Sequence, residues 1–161
     1  MIRPALASDA EAIAHIYNDY ILNTAITFEE QEVSLQQMAQ RMEDVAALSL
    51  PWLVVEQAGQ VVGYAYASKW KVRSAYRYSV ESTIYLARDV KGKGLGSQLY
   101  MALFELLKEK GVHVVVSGIT LPNPASIALH EKLGLKKIAH FEEIGFKFNE
   151  WLDVGYWQVI F

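Results

Sequence analysis

The sequence lacks cysteine altogether. That excludes disulfides, thiolate metal sites and a cysteine nucleophile, and it permits a reducing compartment, so a cytoplasmic protein is expected. No uncharged apolar run reaches the roughly 18 residues needed to cross a bilayer, so no membrane association is expected. The opening Met1-Ile2-Arg3-Pro4 lacks the apolar stretch and small-residue cleavage site of a secretion signal. A basic excess is also missing: the formal net charge is -3, which argues against a general nucleic-acid binder. The four histidines, at 15, 113, 130 and 140, form no zinc-like pair with a nearby carboxylate, and no metal site is expected. Internal repeats, low-complexity tracts and linkers are absent as well.

What remains is a 161-residue chain that is 52% hydrophobic and 20% charged, enough to bury a core as a single domain over 1–161. Ser8 and Glu11 have capping-box spacing, and Ile13, Ile16, Tyr17, Tyr20 and Ile21 recur at helical spacing, which predicts a helix over 8–22. Ser34 begins a second helical pattern through Leu35, Met38, Met42 and Val45, ended by Pro51. The segment 23–33 between them reads as a polar loop. Trp52 to Val55 and Val61 to Ser68 flank a turn at 57–60 and read as a hairpin, followed by a long strand over 78–86. Residues 94–110 carry Leu95, Leu99, Leu103, Leu106 and Leu107 on one face, an amphipathic helix stopped by Gly111. The β-branched run 112–119 reads as a buried strand, 124–133 as a short helix, and 135–141 and 153–161 as closing strands, with 142–151 as a loop. This order predicts an α/β fold: a mixed, mostly antiparallel sheet of about six to seven strands flanked by about four helices, with a short extra strand at Ile2-Arg3.

The strongest chemical signal is the turn Lys91-Gly92-Lys93-Gly94-Leu95-Gly96-Ser97, set between a strand and a long helix. Glycines let the backbone approach a ligand, and a helix start offers unpaired N–H groups and partial positive charge. Together they suit a pyrophosphate. The spacing fails the P-loop pattern, and the late position fails the dinucleotide-binding one. A plain flexible turn is the competing reading.

The turn resembles the acetyl-CoA motif of the GNAT superfamily, Arg/Gln-x-x-Gly-x-Gly/Ala, with Lys91 at the position usually held by Arg or Gln. A second superfamily motif is matched by Asn123, Ser126, His130, Glu131, Lys132, Leu133, Gly134 and Leu135, although Tyr is usual near His130 and Phe near Leu135. The stretches Tyr17-Asn18-Asp19-Tyr20, Pro51-Trp52-Leu53-Val54, Tyr64-Ala65-Tyr66-Ala67, Trp70-Lys71-Val72-Arg73, 80–85 and 151–158 further resemble phosphinothricin N-acetyltransferases. The resemblance covers nearly the whole chain. It implies acetyl-CoA as cosubstrate, N-acetylation of a small amino acid of the phosphinothricin, methionine sulfoximine or methionine sulfone type, and a homodimer. It also implies cofactor contacts from Ile84, Tyr85, Leu86, Lys91, Gly92, Lys93, Gly94, Leu95, Gly96, Ser97 and Asn123, and substrate contacts from Lys71, Val72, Arg73, Glu81, Ser82 and Thr83.

Acetyl transfer to an amine requires removal of an ammonium proton, a polarised carbonyl and, for the leaving thiolate, a proton. Glu81 is the candidate base, because it interrupts an otherwise strand-like run; an exposed strand carboxylate is the competing reading. His130 is the second candidate, as acid or base, against a half-buried helical histidine. Asn123 doubles as helix N-cap. Lys71 and Arg73 fit a substrate carboxylate or phosphinate, against a solvated loop. Tyr17, Tyr20 and Phe28 are further candidates for the cleft wall, against a core role. Acetylation of a peptide N-terminus or a polyamine, and non-catalytic binding of acetyl-CoA, are the alternatives left open.

Overall fold

A computed structural model describes residues 1–90 and 94–161. Seven strands form one sheet in the order β1-β2-β3-β4-β5-β7-β6. They are β1 (Ile2–Pro4), β2 (Trp52–Gln57), β3 (Gln60–Lys69), β4 (Ser79–Leu86), β5 (Val114–Thr120), β6 (Lys136–Lys147) and β7 (Glu150–Ile160). Four α-helices complete it among the described residues: α1 (Ala10–Asn23), α2 (Leu35–Ala47), α3 (Leu95–Glu109) and α4 (Pro124–Lys132). All strand pairings are antiparallel except β4 with β5. This is the mixed, mostly antiparallel α/β architecture expected. Among the described residues no helix is long and apolar enough to cross a membrane.

Each sheet face carries its own core. The leucine stripe of α3 supplies Leu99, Leu103 and Leu107, which pack with Leu53, Ala65, Val115 and Trp157. On the other face Ile13, Ile16 and Ile21 of α1 and Met38 and Met42 of α2 pack on Val54 and Tyr64. The alternation of β2 and β3 explains this division, since successive strand residues face opposite layers. Leu53 and Val55 go one way, Trp52 and Val54 the other.

Several boundaries differ from the sequence expectation, each for a local reason. Ser8 does not cap α1: the helix starts at Ala10. Asp9 takes over the local polar contacts, its carboxylate accepting from the Leu6 N–H at 2.7 Å and pairing with Arg3. Helix α2 keeps a reciprocal cap between Ser34 and Gln37, but ends at Ala47, ahead of Pro51, where Ser49 turns the chain with φ of 57°. The segment 142–151 is not a loop. Strand β6 runs on to Lys147 after an irregular register between Phe141 and Gly145, where Glu143 takes a positive φ, and β7 begins at Glu150.

One feature of the topology matters most for function. The parallel β4–β5 ladder spans only Ser79 to Glu81 against Val114 to Val116. Beyond Glu81 the strands part, β5 staying with β7 as far as Thr120 while β4 stays with β3 to Leu86. The β5-facing backbone edge of β4 is therefore left without a ladder partner from Ser82 to Leu86, which opens a groove in the middle of the sheet.

Candidate active site

The groove has two ends. One is the start of α3, where Gly94 serves as N-cap in the left-handed region, φ 67°. A side chain there would be strained whatever the space, so glycine is what permits the turn. Gly96 sits one residue into the helix, packed between Leu129 of α4 and Leu86 at the end of β4. Gly94, Leu95, Gly96 and Ser97 line this end together with Leu86 and Val90. Lys91, Gly92 and Lys93 lie outside the described residues.

From there the groove runs along the free edge of β4, past Ile84, Tyr85 and Leu86 on one side and Asn123, Ser126 and Leu129 on the other. Asn123 is the N-cap of α4, its side-chain oxygen accepting from the Ser126 N–H at 3.2 Å, with Pro124 at the first helical position. Tyr20 also lines this stretch, its hydroxyl donating to the Leu86 carbonyl at 2.5 Å.

The other end is a cavity of about 560 Å³ around the fork between β4 and β5. Glu81, Ser82 and Thr83 line it from β4, and Lys71 from the loop after β3. Phe28, Trp70, Phe141, Ile144 and Tyr156 add apolar wall. Tyr156 meets Trp70 and Phe141 edge-on, with ring centroids 5.6 and 5.8 Å away. Burial pushes the Glu81 carboxyl above the usual carboxylate range, opposed by the nearby Lys71 charge. That combination suits a carboxylate asked to accept a proton near neutral pH.

At the fork a hydrogen-bonded chain crosses from strand to helix. Ser117 and Ser82 meet through their hydroxyls at 2.5 Å, Ser82 donates to the Tyr100 hydroxyl at 3.2 Å, and Tyr100 lies 3.2 Å from His130 Nε2. His130 is 3% exposed, and its Nδ1 lies 2.6 Å from the Ser126 carbonyl, which can only accept. The ring proton therefore sits on Nδ1, and Nε2 accepts from Tyr100. Burial lowers the His130 pKa from its ordinary value, so the ring is neutral at pH 7, and burial pushes the Tyr100 hydroxyl up to about 12.

The structure thus brings Glu81, His130, Ser82, Thr83, Lys71 and Phe28 to one cavity, and Ile84, Tyr85 and Asn123 to both cavity and groove. Val72 is exposed, and Arg73, which caps the short 3-10 turn Ser74–Tyr76, lies outside the cavity lining. Tyr17 is buried away from the cavity, its hydroxyl bonded to Thr27 and Glu29. Sequence reasoning missed Tyr100 and Ser117. Tyr100 falls on the apolar face of α3 and reads as core. Ser117 carried a usable signal, being a hydroxyl inside the β-branched run of β5. No group of three or more metal-ligating side chains occurs among the described residues.

Comparison with known proteins shows the family. Residues 2–155 match the family described as acetyltransferase (GNAT) domain. The chain is 40% identical over 157 residues to the phosphinothricin N-acetyltransferase of Streptomyces viridochromogenes, covering 98% of this chain and 85% of that protein. It is 38% identical over 159 residues to the L-methionine sulfoximine/L-methionine sulfone acetyltransferase of Pseudomonas aeruginosa, covering 98% and 92%. The crystal structure of a GNAT superfamily phosphinothricin acetyltransferase from Sinorhizobium meliloti in complex with acetyl-CoA superposes with a TM-score of 0.96 at 36% identity, covering 99% of this chain and 87% of that one.

Proposed function

The chain belongs to the GNAT acetyltransferase family, and on that footing we propose that it moves the acetyl group of acetyl-CoA onto the primary amine of a small amino-acid-like substrate, by direct attack of the amine on the thioester. The observation that carries this reading is the fork: a free strand edge leads from a glycine-capped helix start to a cavity that holds one raised-pKa carboxylate and one cation.

The residues present fit acetyl-CoA. The left-handed Gly94 and the side-chain-free Gly96 leave backbone N–H groups of α3 open to a phosphate. The unpaired edge of Ile84, Tyr85 and Leu86 suits an extended amide-bearing arm, which pairs with it as an added strand would. Asn123 faces the same stretch. When bound, acetyl-CoA supplies the activated acyl group. Lys91, Gly92, Lys93, Leu95 and Ser97 complete the proposed phosphate contacts.

At the cavity end Glu81 takes the proton of the substrate ammonium, directly or through water, and so frees the amine lone pair. Lys71 is the proposed partner of the substrate carboxylate, with Val72 and Arg73 following it at the rim. Ser82 and Thr83 contact the substrate beside Glu81. The apolar wall of Phe28, Trp70, Phe141, Ile144 and Tyr156 suits the methylene and terminal methyl groups of phosphinothricin or the methionine derivatives. His130, neutral and with Nε2 accepting from Tyr100, is placed to share deprotonation with Glu81, coupled to the cavity through the Tyr100 hydroxyl.

The reading includes a homodimer. Strand β6 ends the sheet, and the β6–β7 hairpin exposes Phe146, Phe148 and Trp151 together, an apolar patch at a free edge that a second copy would cover. The test of the activity is release of free thiol from acetyl-CoA in the presence of L-methionine sulfoximine or phosphinothricin, with the acetylated amine identified by mass spectrometry. Absence of thiol release across a panel of amino acids would overturn it.

A further inference from the structure

We infer that β6 sets the shape of the acceptor cavity through Gly145 and Lys147, two residues that do not line it but hold the loop that does. The inference rests on the acceptor reading above and adds two positioning residues to it. The loop between α1 and α2 supplies Ile26, Thr27 and Phe28 to the cavity. It contains no helix or strand of its own between Thr24 and Ser34. Its position must therefore come from what it is tied to.

Two alternate residues of β6 face it. Gly145 and Lys147 point inward, while Phe146 between them points out. A Cβ at Gly145 would lie 2.2 Å from Cε2 and 2.4 Å from Cζ of Phe28. The Phe28 ring thus rests on bare β6 backbone, a seat that any side chain at 145 would occupy. Two residues on, the Lys147 side chain is 2% exposed, and its Nζ donates to the carbonyls of Ile21 and Thr27, both at 2.8 Å. The Ile21 carbonyl belongs to the last turn of α1, where carbonyls have no helical partner and a cation is favoured. The Thr27 carbonyl precedes Phe28 directly. One buried ammonium therefore joins the end of α1 to the loop residue beside the cavity wall.

The opposite side of the loop is tied down independently. The Thr27 hydroxyl meets Tyr17 at 2.8 Å, and the Glu29 carboxylate accepts from Arg41 at 2.8 and 2.5 Å. With one flank fixed on the helices, the β6 contacts decide how far Phe28 reaches into the cavity. Burying an ammonium is costly, and here its two carbonyl partners belong to this loop and the helix before it.

The test compares Gly145→Ala, Lys147→Met, Lys147→Arg, Phe28→Ala and the Gly145→Ala/Phe28→Ala pair. The acceptor KM of Gly145→Ala and Lys147→Met is expected to rise about tenfold, with the KM for acetyl-CoA within about twofold of wild type. Phe28→Ala is expected to cancel most of the Gly145→Ala effect, because the clash partner is gone. Lys147→Arg keeps a cationic donor, is expected to recover part of the acceptor KM, and carries the test if Lys147→Met does not fold. Hydrogen exchange without substrate gives a second readout. Amides over 24–33 should exchange about tenfold faster in Gly145→Ala and in whichever Lys147 variant folds, while those of α3 stay unchanged. Wild-type turnover with unchanged acceptor KM and unchanged loop exchange in the variants would overturn the inference. Failure of wild type to acetylate any amino acid would overturn the acceptor reading instead, and loop exchange would still decide the role of β6.

Discussion

Replacing Tyr100 by phenylalanine removes one oxygen and keeps the ring. That ring stacks on Phe104 at 5.1 Å and meets His130 edge-on at 5.1 Å, so packing is largely retained. The hydroxyl is a different matter. It accepts from Ser82 and donates to His130 Nε2, each at 3.2 Å, and belongs to a buried side chain. Without it, Nε2 becomes a buried acceptor with no partner, at a cost of about 1–3 kcal/mol. For a chain of this size each kcal/mol moves Tm by about 2–4 °C, so Tyr100→Phe should melt roughly 2–12 °C below wild type. Differential scanning calorimetry at pH 7 measures this. The His130→Phe single variant and the double variant complete a cycle, in which the expected coupling is about 0.5–3 kcal/mol. Turnover should fall about tenfold or more if the hydroxyl connects His130 to the reacting centre. A Tm within about 1 °C of wild type, with strictly additive single effects, would refute the hydrogen-bonded chain.

Glu81→Gln should lower kcat by about 10²-fold or more, a barrier rise of roughly 2.7 kcal/mol, read by thiol release at saturating substrates. Because burial raises the Glu81 pKa, activity should climb with pH along a limb above the ordinary carboxylate range, and Lys71→Met should move that limb higher by removing the opposing charge. The same shift fixes a stability sign: folded Glu81 holds a proton that the unfolded chain releases, so stability is lost as pH rises through the folded pKa, and Glu81→Gln should be more stable than wild type at pH 7 but not at pH 4. Gly94→Ala places a side chain at φ 67°, which should cost about 1–2 kcal/mol in thermal melts and weaken acetyl-CoA binding measured by calorimetry. The proposed homodimer predicts that light scattering reports a dimer for wild type and a monomer for Phe146→Glu with Trp151→Glu, which charges the exposed hairpin patch.

The sequence made legible those parts whose local and tertiary preferences agree. The α3 leucine stripe, Gly94 before it and the β-branched run of β5 each point one way, and the structure places them as expected. The turn at Lys91 to Lys93 is outside the described residues, so only its downstream half, Gly94 to Ser97, is seen at the groove. Legibility failed where tertiary contacts override local pattern. The Glu142-Glu143 pair reads as loop, yet it is a bulge in an edge strand, whose solvent-facing side tolerates charge. Ser8 has the right spacing for a cap, but Asp9 holds Arg3 and shifts the helix start. Lys147 falls in the segment 142–151 that reads as a loop, and only the folded chain brings it to carbonyls more than a hundred residues away. The fork between β4 and β5 has no sequence signature, because it depends on where a parallel ladder stops.

The acceptor is identified by kcat/KM across a panel of amines at saturating acetyl-CoA. The panel sets L-methionine sulfoximine, L-methionine sulfone and phosphinothricin against their decarboxylated amines, short peptides and polyamines. The cavity, with Glu81 as the proposed base for the amine, Lys71 as the proposed partner of the carboxylate and an apolar wall between Phe28 and Tyr156, predicts that the free amino acids lead, and that decarboxylation raises KM by about tenfold or more. Equal kinetics with the decarboxylated amines, or a lead for peptides or polyamines, would contradict it.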